Sequence, residues 1–238
     1  MLPLPLNIML GISTALSRAT TRQIGQRMTG GEPHPIDTAP TARLLRFPSL
    51  LGPRRAAEIL HASALRAGEF QPSTVTGNLL DYRKSQVLWR GEDVAPDVAE
   101  RVRAIAPELA RLLAVPPFPI GEIETQVTVS RGGDYFRRHD DNGSPETAQR
   151  RISYVYYVHR EPRPFGGGEL VVYGARGPGG ERGVYVIEPD NDTLVVFPSN
   201  LLHEVRPVNA SSLSPLDTRV TVNGWVREAT SVPCTGEG

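Results

Sequence analysis

The 238-residue sequence is poor in cysteine, in lysine, in net charge and in long apolar runs, and each shortage excludes something. Its one cysteine, Cys234, lies in a Pro/Thr/Gly tail, which excludes an intramolecular disulfide framework and any zinc site built on several thiolates. That usage suits a reducing compartment, and a cytoplasmic location is expected. With 26 basic and 26 acidic residues the formal net charge is zero, so no overall electrostatic footprint for a polyanion exists. Neither a nucleic-acid partner nor a membrane partner is expected. No uninterrupted apolar run approaches the roughly 18 residues a bilayer-spanning helix requires. Lys84 is the only lysine, an arginine skew that reads as genome composition before chemistry.

Hydrophobic residues at 39% and charged residues at 22% suit one globular domain of ordinary core size. Gly (23) and Pro (22) point to many turns and short strands. Residues 1–43 hold no acid before Glu32 and read as a flexible N-terminal segment. Residues 44–228 read as a single domain, with helical support over 44–120 and a β core over 121–228, and 229–238 as a tail. Ala56, Ile59, Leu60, Ala64 and Ala67 form one apolar stripe, predicting a helix from Pro53 to Gly68. A second helix is predicted over Pro96 to Val115, with Pro107 kinking or splitting it.

After Pro119 the pattern changes to short β-type runs: Glu122–Ser130, Ile152–Val158, Glu169–Tyr173, Gly183–Ile187, Thr193–Phe197, Glu204–Val208 and Val220–Val226. Helices followed by many short strands predict an α+β domain whose strands form a double-sheet jelly roll or a barrel.

His139 and Asp141 are two apart, so in an extended segment both side chains face the same way and can share one metal. His203 lies just beyond the strand-like run 193–197 and its turn. Two histidines and one carboxylate make the facial triad that leaves open positions on Fe(II), the arrangement an oxygenase needs. A His-x-Asp pair alone says little, and the surrounding pattern adds to it. On a strand, Arg219, Thr221, Asn223 and Trp225 share one face, and Val220, Val222 and Val226 the other. If the polar face lines a cavity, the fork of Arg219 can bind a carboxylate bidentately. If it faces water, the strand is simply half-exposed.

Five pieces in one order carry a resemblance: Gly133 to Asp141, Ser153 to Tyr157, Gly167 to Leu170, His203 to Val208 and Arg219 to Trp225. Over roughly Glu122 to Glu228 the chain resembles the iron(II) and 2-oxoglutarate dependent dioxygenases, in their prolyl-hydroxylase-like branch. The resemblance implies a double-stranded β-helix (jelly roll) with supporting N-terminal helices. It implies that His139, Asp141 and His203 bind Fe(II), and that Arg219 pairs with the distal carboxylate of 2-oxoglutarate, to which the Tyr157 phenol can also donate. With O2, such an enzyme hydroxylates an aliphatic C–H of a peptidyl residue or small metabolite and releases succinate and CO2.

Two departures stand out. Many members carry a tyrosine about nine residues before the first metal histidine, where this chain has Ser130. The stretch from His203 to Arg219 is longer than expected, with 209–218 read as a looped insertion. Related halogenases carry a small residue where Asp141 stands, so hydroxylation is favoured. The remaining histidines, His34, His61 and His159, have no partner at ligand spacing. Gly166 to Gly168 read as a tight turn before a strand, since no helix follows to bind phosphate. A non-catalytic jelly-roll module that binds metal or ligand is the alternative from another class.

Overall fold

The computed structural model describes residues 44–73, 82–176 and 182–230; the predicted N-terminal segment, the end of the tail and Cys234 lie outside them. In chain order the strands and helices begin with β1 (Leu45–Pro48), α1 (Pro53–Leu65), β2 (Gln71–Pro72), β3 (Arg83–Lys84), β4 (Gln86–Leu88) and α2 (Pro96–Leu112). The β-rich part follows with β5 (Ile120–Ser130), β6 (Tyr135–His139), β7 (Arg150–Val158), β8 (Gly166–Gly167) and β9 (Leu170–Arg176). It ends with β10 (Arg182–Ile187), β11 (Thr193–Pro198), β12 (His203–Val205), β13 (Val208–Asn209) and β14 (Arg219–Glu228).

Two antiparallel sheets carry the architecture. The larger runs β1-β11-β7-β14-β5-β4-β2 and the smaller β10-β9-β12-β6-β3, while β8 and β13 form a separate two-stranded ribbon. Alternation along the central strands divides the larger sheet's side chains between two environments. Tyr154, Tyr156, Leu194, Val196, Val220 and Val222 join the buried faces of α1 and α2 in the main apolar core. Tyr157, Val195 and Phe197 point the other way, packing with Leu170, Val172 and Ile187 of the smaller sheet.

Both helices start on proline at their first turn, as predicted, and α1 stops at Leu65 before a short 3-10 turn over 67–69. Pro107, expected to kink or split the second helix, sits inside an α2 that continues to Leu112. Pro107 and Arg103 are both on the exposed side, so the carbonyl that loses its helical partner faces water. Val98, Val102, Ala106 and Leu109 meanwhile hold both halves on the core. The predicted strand Glu204–Val208 is divided into β12 and β13 around Pro207, which has no N–H to give a ladder.

Residues 44–120 supply more than helices: β1 pairs with β11, β4 with β5 and β3 with β6. Gly224 in β14 marks a crowded crossing, where a Cβ would lie 1.8 Å from the Glu124 carbonyl oxygen and 2.6 Å from the Tyr154 hydroxyl. No helix among the described residues is long and apolar enough to cross a membrane.

Candidate metal centre and its cavity

Between the sheets lies a cavity of about 80 Å³, and the predicted His139, Asp141, His203 and Arg219 all line it. His139 ends β6 and His203 begins β12, and the two are direct cross-strand partners, which sets their ring centroids 4.1 Å apart. Asp141 follows β6 in a turn fixed by its own N–H donating to the Ser199 carbonyl at 2.9 Å. One ligating atom from each of the three residues lies within 4.8 Å of the others. The Asp141 carboxylate stands 3.6 Å from His139 Nε2 and 3.4 Å from His203 Nε2.

The hydrogen bonds fix which ring nitrogen is free. His139 Nδ1 lies 2.7 Å from the Arg137 carbonyl and His203 Nδ1 lies 2.9 Å from that of Leu201. A carbonyl accepts only, so each Nδ1 carries a proton and each Nε2 is the nitrogen turned toward Asp141. Burial, then the nearby His203, pushes His139 down to about 3, which keeps its imidazole neutral. Burial works against the Asp141 carboxylate, but His203, His139, the Ser153 hydroxyl and the Trp225 indole outweigh it and hold its pKa below the usual range. Ser153 donates to Asp141 Oδ2 at 2.6 Å. Two imidazoles and one carboxylate are the donor set that suits a divalent transition metal and leaves coordination positions open.

Arg219 is buried deeper in the same cavity. Its Nε donates to the Gly168 carbonyl at 2.9 Å, and it has no ion pair among the described residues. Burial lowers its pKa, although Tyr157 and Glu169 favour the charged form. The guanidinium carbon lies 5.2 Å from the centre of the Tyr157 ring. The Tyr157 hydroxyl is buried without a hydrogen-bond partner, and burial pushes its pKa up to about 12, with Arg219 pulling the other way. A buried cation and a buried donor, both short of partners, form a ready site for a carboxylate. The glycine run, read as a turn, has a second role. Gly168 sits at φ +72°, and a Cβ there would lie 2.7 Å from Arg219 Cδ.

The alternation predicted for β14 holds, with Thr221, Asn223 and Trp225 lining the cavity while Val220, Val222 and Val226 are buried in the main core. Opposite them in register stand Thr128 and Gln126 of β5, whose Oγ1 and Oε1 are buried and unpaired. Sequence reasoning passed over these two, as well as Arg83, whose side chain reaches the cavity from the edge strand β3. The period-2 pattern Gln126, Thr128, Ser130 was the available signal for the first two; Arg83 had none. Ser130, the departure from the family pattern, lies across from Arg219 itself. His61 is exposed, and His159 is buried with its ring nitrogens on the carbonyls of Arg160 and Pro189, so neither joins the triad.

Residues 125–227 match the model of the 2OG-Fe(II) oxygenase superfamily. That stretch is similar to a 2OG-Fe(II) oxygenase domain. The matched stretch contains all five predicted site residues, and the family of that model uses Fe(II), 2-oxoglutarate and O2. An uncharacterized PKHD-type hydroxylase of Synechocystis sp. is 35% identical over 186 residues, 76% of this chain and 61% of that protein. The chain therefore spans about three fifths of that relative's length. A prolyl-4-hydroxylase of Pseudomonas putida has a TM-score of 0.61 at 21% identity, covering 79% of this chain and 93% of that one. A prolyl hydroxylase of Trichoplax adhaerens, solved with a peptide fragment of the hypoxia inducible factor oxygen degradation domain, has a TM-score of 0.62 at 21% identity. That likeness covers 78% of this chain and 83% of the other. Both likenesses show that this chain has the jelly-roll fold of those prolyl hydroxylases.

Proposed function

We propose that this chain is an Fe(II)- and 2-oxoglutarate-dependent hydroxylase in which His139, Asp141 and His203 hold the iron. Arg219, with the Tyr157 phenol beside it, takes the distal carboxylate of 2-oxoglutarate. One observation carries the reading: three convergent ligand side chains and a buried guanidinium without an anion line the same cavity. When bound, iron and 2-oxoglutarate supply the oxidation, with O2 divided between succinate, formed with CO2, and a hydroxyl placed on an aliphatic C–H.

The protein's part is positioning and exclusion. The Arg137 and Leu201 carbonyls hold the two imidazoles in one tautomer, Ser153 fixes the Asp141 carboxylate, and Gly168 aims Arg219. Leu170, Phe197 and Val205 line the cavity with apolar surface that keeps water from the reacting groups. The carboxylate at Asp141 fills the position a halide would need, which favours hydroxylation. The substrate is a peptidyl residue or a small metabolite, and the relatives named as prolyl hydroxylases make peptidyl proline the first class to test.

The test is an anaerobic titration with Fe(II) and 2-oxoglutarate, following the visible metal-to-ligand charge-transfer band of the chelate. The band is expected in the wild type and absent in Asp141→Ala. Metal binding without the band in the wild type would overturn the reading.

A further inference from the structure

Resting on that reading, the structure points to a second carboxylate site in the cavity, and we propose that Arg83 selects the substrate by pairing with a carboxylate on the molecule to be hydroxylated. Arg83 stands on β3, the edge of the smaller sheet, across from Phe136 of β6. Its guanidinium carbon lies 4.7 Å from the Phe136 ring centre, and that ring stacks on His139 at 3.5 Å. The cation is thus one aromatic ring away from a metal ligand. Its Nε donates to Ser85 at 3.0 Å; among the described residues its terminal amino groups have no hydrogen-bond partner and no carboxylate forms an ion pair with it.

Charge balance decides what those free donors are for. Among the described residues that line the cavity, Asp141 is the only acid, and Arg83 and Arg219 are the arginines. With a divalent metal and 2-oxoglutarate in place, the two arginines and the metal face Asp141 and two cosubstrate carboxylates. One positive charge is left over. Arg219 has the distal carboxylate, so the surplus sits at Arg83. An uncompensated, half-buried cation favours an anion over a neutral isostere, and the guanidinium fork matches a carboxylate in two parallel hydrogen bonds. The hydroxylated carbon then lies a few bonds from that carboxylate. The substrate is an organic acid or an acidic peptide.

The experiment compares matched acid and amide probes on the protein loaded with Fe(II) and 2-oxoglutarate under anaerobic conditions, by charge-transfer band and by calorimetry. The pairs are propionate and propionamide, N-acetylproline and its amide, and N-acetyl-Pro-Glu-amide and N-acetyl-Pro-Gln-amide. Each carboxylate is expected to bind about tenfold or more tightly than its amide, the size of a charge-assisted hydrogen-bond pair. Arg83→Gln brings that ratio to about one and Arg83→Lys retains part of it, because the charge survives and the fork does not. A preference confined to the free acids identifies a small acid, and one confined to the glutamyl probe identifies a peptide side chain. A wild-type ratio of one, or a ratio that survives Arg83→Gln, overturns the proposal. A folding defect lowers both members of a pair and leaves the ratio unchanged. Failure of the band to form would sink the hydroxylase reading instead, and the calorimetric ratio would still report on Arg83.

Discussion

The two faces of the larger sheet are built for opposite ends. Toward α1 and α2 its side chains are apolar and closely packed, and the buried tyrosine hydroxyls there are satisfied, Tyr154 by Thr125 and Tyr156 by Asp192. Toward the cavity the same strands present Gln126 and Thr128 with unpaired atoms, an arginine without an anion and the unpaired phenol of Tyr157. Unsatisfied groups of that kind destabilise a fold unless a ligand completes them. Stability therefore resides on the helix side and binding on the cavity side, separated by the thickness of one strand.

The largest expected break in that contrast is Asp141→Ala. Removing one of three ligands abolishes the Fe(II)–2-oxoglutarate band, while the thermal midpoint of the metal-free protein changes little. Next is Arg219→Met, which lowers 2-oxoglutarate affinity by about 2–5 kcal/mol in a binding titration, the loss typical of one partner in a buried charge pair. Because the ligand-free protein holds that cation unpaired, the same variant unfolds at an equal or higher denaturant midpoint. A lower midpoint would break the contrast. Leu109→Ala on the helix side should do the reverse, costing about 2–5 kcal/mol of stability by denaturant unfolding and leaving the band intact in the folded fraction.

Gly168→Ala sharpens the comparison, since its new Cβ meets Arg219 Cδ and its φ is positive. A drop of about tenfold in 2-oxoglutarate affinity, with metal affinity unchanged, is expected from misplacing one charged donor. The smallest effect is a pH slope. His139 is held down to about 3 by burial first and His203 second, so an unfolded chain protonates it near 6.5 while the folded site does not. Metal-free stability therefore falls as pH drops from about 6.5 toward 3. Asp141 adds the same sign, its stabilisation present above its unfolded pKa and lost as pH falls through the lower folded one. Denaturant midpoints at neutral and mildly acidic pH measure the slope, and His139→Asn should flatten it.

Much of this division was legible in the sequence because it is written in short-range periodicity. The valines of β14 and its Arg219, Thr221, Asn223 and Trp225 alternate without a break, and both helices open on proline. The triad was legible because His139 and Asp141 fall in one short segment and His203 completes a known order of motifs. What was not legible depends on partners far away in the chain. Two-residue strands such as Arg83–Lys84 have no period to detect and exist only because β6 offers an edge. That α2 runs past Pro107 without splitting was not legible, because the propensity rule ignores which side of the helix meets water. The fit of Gly168 against Arg219 joins residues 51 positions apart and appears only once β14 is in place.

One contact described above also gives the molecule a way to be watched. The Trp225 indole helps hold the Asp141 carboxylate, and the Arg150 guanidinium carbon lies 3.5 Å above its ring. The chain's other tryptophan, Trp89, is more than half exposed and is not among the residues that line the cavity. Trp225 is thus a fluorophore wired to the carboxylate proposed to hold the metal. Its emission should quench as iron loads, so that occupancy can be followed in real time, without a dye, a label or any knowledge of the substrate.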